Sequence, residues 1–63
     1  MQGTVIYYNF EKGYGFIKQD DNPEENMFFH FSDCNEVPPV RARVQYAIKE
    51  GRRGPQATNV SVI

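Results

Sequence analysis

Apolar and polar residues alternate with period two along much of this chain, and no stretch repeats at helical spacing. Residues Gly3 to Phe10 are rich in β-branched and aromatic types and predict a first strand. Glu11-Lys12-Gly13 reads as a turn, because Gly13 can take positive φ at no steric cost. A second strand from Tyr14 to Lys18 sets Tyr14, Phe16 and Lys18 on one face, with Gly15 and Ile17 on the other. Gly15 leaves bare backbone suited to a bulge or to close approach by another group. Gln19 to Asn26 is polar and acidic, contains Pro23, and reads as a loop.

The third strand, Met27 to Phe31, sets Phe28 and His30 on one face and Met27, Phe29 and Phe31 on the other. Ser32 is the expected cap of a short helical turn, and Pro38-Pro39 ends whatever begins there. Alternation returns from Arg41 to Lys49: Val44, Tyr46 and Ile48 inward, Arg43, Gln45, Ala47 and Lys49 outward. Gly51 to Pro55 makes a basic turn, and Gln56 to Val62 a fifth strand with Thr58, Val60 and Val62 on one face. Five short strands joined by turns predict a small all-β barrel, whose closure would hide the sheet edges.

Composition narrows the function. The 63 residues suffice for one domain, spanning 1–63, which buries only about 60% of its unfolded surface. The single cysteine, Cys34, excludes an intrachain disulfide and favours a reducing, cytoplasmic location. One His and one Cys are too few for a structural zinc site, so no metal and no cofactor are expected. Neither a catalytic constellation nor an ATP-binding loop is visible, and no enzymatic activity or small-molecule substrate is expected. No run approaches the roughly 20 apolar residues that cross a bilayer, so no membrane partner is expected. The chain's end on an apolar strand fits either a small protein or a domain of a longer one.

The two aromatic runs carry the chemistry. Lys12-Gly13-Tyr14-Gly15-Phe16 follows the opening of an RNA-recognition signature: basic residue, glycine, aromatic, glycine, phenylalanine. Aromatic strands lying side by side form a platform on which unpaired bases stack, each worth about 1–3 kcal/mol. The bland alternative is that these rings are core. It is accepted for Phe29, Tyr46 and Tyr8, which fall on apolar phases of their strands. Burying all nine aromatics in 63 residues would overfill a barrel already supplied with Val5, Ile17, Met27, Val44, Ile48 and Val60. Tyr14, Phe16, Phe28 and His30 are therefore expected at the surface. The net charge of −1 excludes a protein living by phosphate neutralisation alone. Lys12, Lys18, Arg52 and Arg53 nevertheless flank the aromatic strands, while Asp20, Asp21, Glu24 and Glu25 gather in one loop.

Several matches in order make the chain resemble a cold-shock domain of the bacterial single-domain type. Gly3-Thr4-Val5-Ile6-Tyr7-Tyr8-Asn9 is similar to the family's first strand, and Glu11 to Ile17 to its first RNA-binding motif. Phe28-Phe29-His30-Phe31-Ser32 is similar to the second motif, and Gly54 to Val60 to the last strand. The resemblance implies a five-stranded antiparallel OB-fold barrel that binds single-stranded RNA and DNA and acts as an RNA chaperone. It implies base contacts at Tyr7, Tyr14, Phe16, Phe28, His30 and Phe31, and phosphate contacts at Lys12 and Arg53. Alternation does not by itself bring Tyr7 or Phe31 to the platform face; each needs a bulge or a strand end. The chain departs from the family in having Tyr7 where Trp is frequent and Ile6 where Lys is common. Its segment between Ser32 and Val44 is short and holds no aromatic. Both losses imply weaker binding or fewer nucleotides held.

Two rival functions remain. One is a protein-interaction module, with the exposed aromatics as a partner surface and strand exchange converting the expected monomer to a dimer. The other is a domain protecting single-stranded DNA.

Overall fold

The computed structural model describes residues Met1–Ile63. Five antiparallel strands, β1 (Gln2–Asn9), β2 (Tyr14–Gln19), β3 (Asn26–His30), β4 (Arg43–Gly51) and β5 (Gly54–Val62), form one sheet in the order β3-β2-β1-β4-β5. The fold is all-β with the strand pattern of an OB-type barrel, as expected. The sheet curls without closing fully through strand pairing. β3 and β5 are its edges, and the gap beside them is bridged where Cys34 pairs with Val60 and the Asn35 N–H donates to the Val60 carbonyl at 2.8 Å. A single 3₁₀ turn, Phe31–Asp33, follows β3. No helix is long and apolar enough to cross a membrane.

The concave face holds the core: Val5, Ile17, Met27, Phe29, Val44, Tyr46, Ala57 and Val60, with Tyr8 and Cys34 packed against it. Tyr8 is half-buried and stacks on Phe29, ring centroids 6.0 Å apart at 15°. The one buried polar side chain is satisfied. Tyr46 donates its hydroxyl to Gln19 Oε1 at 3.2 Å, and Gln19 Nε2 donates to the Glu25 carbonyl at 2.9 Å.

The structure corrects three expectations. Ile48 is 42% exposed rather than core, and Val62 also lies outside it. Both keep the inward phase, Ile48 opposite Ala57 and Val62 opposite Val44, but lie toward strand ends. Separately, Gln45 faces Ser61 but Ala47 faces Thr58, so β5 has an extra residue here. Asn59 takes a left-handed φ of 52° at this point, and the phase of β5 reverses, burying Ala57 with Val60. The 3₁₀ turn begins two residues earlier than expected. Its cap is His30, whose Nδ1 accepts from the Ser32 N–H at 3.3 Å, and not Ser32. The basic turn is also tighter: Arg52 and Arg53 alone join β4 to β5, and Pro55 lies in the ladder opposite Glu50.

Candidate nucleic-acid interface

β1, β2 and β3 present one outward face of aromatic rings. Tyr14 and Phe16 alternate with buried Gly15 and Ile17 on β2, and the β2–β3 register sets Tyr14 opposite His30 and Phe16 opposite Phe28. Tyr14 and Phe28 lie nearly parallel, centroids 5.8 Å apart at 21°. Phe16 meets both edge-on, at 5.9 Å and 88° to Tyr14 and 5.9 Å and 71° to Phe28. The rings are half-buried because they pack on one another, and their outer faces line a shallow cleft.

A bulge brings in Tyr7. Val5 pairs with Ile17 and Tyr7 with Phe16, so Ile6 and Tyr7 together oppose one residue of β2. Strict alternation from buried Val5 would turn Tyr7 inward; the extra residue turns it out, 43% exposed. Its ring lies 6.0 Å from Tyr14 and 6.2 Å from Phe16. Phe31 reaches the surface by the other route, a strand end. It enters the 3₁₀ turn, is 50% exposed, and sits 4.6 Å from the His30 ring.

Lys12 and Arg53 complete the cleft, about 450 Å³, whose other lining residues are Tyr14, Phe16, Phe28 and His30. Neither cation is held by a carboxylate, because the ion pairs are Arg43–Asp20 at 2.6 Å and Lys49–Asp33 at 2.7 Å. All eight residues expected at the site thus lie on or beside one surface, with Tyr7 and Phe31 at its flanks. Lys18 does not line the cleft; it stands further along β2, opposite Asn26.

Two positioning residues escaped the sequence reading. Asn9 Oδ1 accepts from the backbone N–H groups of Glu11 at 3.0 Å and Lys12 at 2.9 Å, setting the turn that carries Lys12. Asn9 Nδ2 also donates to the Tyr7 hydroxyl at 3.3 Å. An asparagine directly before a glycine-containing turn was the available signal. Ser32 fixes His30. Since the Ser32 N–H can only donate, Nδ1 is the acceptor and the ring proton sits on Nε2. Ser32 Oγ lies 2.9 Å from the same nitrogen.

The model for the 'Cold-shock' DNA-binding domain matches residues 1–63. The chain belongs to that family. Cold-shock domains bind nucleic acid, and the aromatic face coincides with the motifs that carried the resemblance. The chain is 42% identical to a cold shock protein of Arthrobacter globiformis, over 98% of this chain and 97% of the relative. It is 42% identical to the cold shock-like protein CspC of Bacillus cereus, over 95% of each. With the cold shock protein CspA of Staphylococcus aureus it shares 44%, over 94% of this chain and 92% of the relative.

Asp33 and Cys34, which follow the second aromatic motif, help to hold the fold together. Asp33 accepts from Lys49 Nζ at 2.7 Å, Thr58 Oγ1 at 3.1 Å and Gln56 Nε2 at 3.0 Å, tying the 3₁₀ turn to β4 and β5. Burial pushes its pKa up, but these three hydrogen bonds and the Lys49 charge outweigh that, leaving the carboxyl below its ordinary value. Burial, reinforced by the Asp33 charge, pushes the Cys34 thiol up to about 11, so it is a protonated, unreactive group at neutral pH.

Proposed function

We propose that this cold-shock domain binds single-stranded nucleic acid, RNA in preference to DNA, by stacking unpaired bases on Tyr7, Tyr14, Phe16, Phe28, His30 and Phe31. Lys12 and Arg53 contact the phosphates. The observation that carries the reading is the continuity of the aromatic face, in which Tyr7, Tyr14, Phe16 and Phe28 have neighbouring ring centroids within 6.2 Å. Stacking needs an unpaired base, so duplexes are rejected until they melt. It is tolerant of sequence, since every base has a π-face. Weak, tolerant capture of transiently open strands is what an RNA chaperone does, and the proposed role is of that kind. The preference for RNA draws on the Lys12-to-Phe16 signature and is tested directly by matched sequences.

Fluorescence anisotropy on labelled oligo-U and oligo-dT at two salt concentrations, with a duplex control, tests the reading. Binding to both single strands, tighter for oligo-U, weakened by salt and lost in the Phe16→Ala/Phe28→Ala double variant, is the expected result. A folded protein that binds neither strand at low salt would overturn it, and an interface for a protein partner would then lead.

A further inference from the structure

Phe10 is the most exposed large apolar side chain of the molecule, at 83%. It follows β1 and is not among the six residues that line the cleft. Its ring meets Tyr8 edge-on, centroids 4.8 Å apart at 84°, and Tyr8 in turn rests on buried Phe29. Phe10 is thus an exposed ring with an aromatic support behind it. Together with Tyr8, Phe31 and Val37 it walls a second groove of about 290 Å³, with Glu11 and Lys12 at the rim.

The groove has fixed walls. Phe31 lies against Gly13, where a Cβ would fall 2.5 Å from its Cδ1. The Phe31 N–H donates to the Gly13 carbonyl at 2.8 Å, and the Gly13 N–H to the Asn9 carbonyl at 2.7 Å. On the opposite side Val37 is followed by Pro38, one of the most deeply buried side chains. The Phe31 ring is therefore held in place before any ligand arrives, which lowers the ordering cost of stacking on that side.

The groove also continues the aromatic cleft. Lys12 lines both, and Phe31 in this groove touches His30 in the other, rings 4.6 Å apart. Lys12 is free of any carboxylate partner, so a phosphate passing from one groove to the next meets an unpaired cation. Glu11 disfavours a phosphate on its own side and leaves the Lys12 side as the path.

We infer that Phe10 adds a stacking subsite beside Phe31, at the flank of the platform, which takes a further unpaired base of the same strand. The inference rests on the single-strand reading above. It means that the segment between Ser32 and Val44, which carries no aromatic, does not set the end of the binding track; a ring from the β1–β2 turn extends it.

Titration of four- and eight-nucleotide oligo-U against the wild type, Phe10→Ala and Phe16→Ala separates the two ideas. Phe10→Ala is expected to weaken the eight-nucleotide strand about fivefold or more and leave the four-nucleotide strand nearly unchanged, while Phe16→Ala weakens both. If Phe10→Ala changes neither, or both equally, while Phe16→Ala weakens both, the subsite is overturned and the platform stands. If the wild type binds neither strand, the single-strand reading has failed and the subsite falls with it. Sedimentation of the wild type and Phe10→Ala supplies a last outcome. Self-association abolished by Phe10→Ala, with the eight-nucleotide affinity unmoved, would assign the groove to a second copy of this chain and overturn the proposal.

Discussion

Tyr7 stands opposite Phe16, ring centroids 6.2 Å apart, although Val5 two residues earlier stands opposite Ile17. The unmatched residue is Ile6, 42% exposed beside Tyr7. This bulge puts a β1 ring onto a face otherwise built by β2 and β3, and leaves an apolar side chain where a charge would be tolerated.

Ile6→Lys is accordingly expected to tighten binding to single strands at low salt. It should steepen the slope of log affinity against log salt by about 0.7 if one more phosphate is engaged. Thermal stability should stay within about 0.5 kcal/mol of wild type, because the position is exposed. An unchanged salt slope would mean that the position lies off the phosphate path.

Gly15 is constrained from both sides. A Cβ there would meet the backbone oxygen of Tyr7 and come within 2.7 Å of Phe29 Cζ. Gly15→Ala is expected to cost about 1–3 kcal/mol in urea unfolding, through overpacking of a strand pair that cannot separate. Weaker oligonucleotide binding should accompany it, because the bulge carrying Tyr7 is the part that must move. A midpoint equal to wild type would refute the close approach.

The buried Tyr46–Gln19 pair makes a test of the core. Tyr46→Phe strips Gln19 Oε1 of its donor in a site where both residues are only 5% exposed. The expected loss is about 1–2 kcal/mol, or very roughly 4–15 °C in Tm for a domain of this size. Adding Gln19→Leu should cost less than the sum of the single changes, since no orphaned oxygen then remains. Strict additivity would count against the pair.

Acid should unfold the protein through its paired carboxylates. The hydrogen bond from Arg43 holds Asp20 low, its charge adding to the effect against slight desolvation, and Asp33 is net lowered as described above. A carboxylate lowered on folding contributes stability that is complete above its unfolded pKa of about 3.9 and disappears as pH falls through the lower folded value. Tm should therefore hold steady down to about pH 4 and drop below it. Asp33→Asn should lower Tm at neutral pH by weakening the anchor for Lys49, Thr58 and Gln56, and should flatten the acid limb. Parallel curves for the two proteins would show that Asp33 is not a source of the acid sensitivity.

Much of this molecule was legible in its residue pattern. Period-two alternation located five strands, and the phases of β2 and β3 separated Tyr14, Phe16, Phe28 and His30 from Ile17, Met27 and Phe29, because successive side chains on a strand must point to opposite faces. Gly13 was readable as a turn because few other residues accept its φ of 73°. What alternation cannot register is an inserted residue. The bulge at Ile6 turned Tyr7 outward, and the one at Asn59 put Ala57 rather than Thr58 in the core beside Val60. Both depend on the register against a neighbouring strand, a relation between distant segments that no local pattern contains. The same holds for Phe31 against Gly13 and for Asp33 between Lys49, Thr58 and Gln56. The sequence by itself thus determined the strands, the turns and the chemistry of the aromatic face. Tertiary structure alone decided which additional rings that face could gather, because only the curled sheet brings the end of β1, the start of the 3₁₀ turn and the β4–β5 turn to one side.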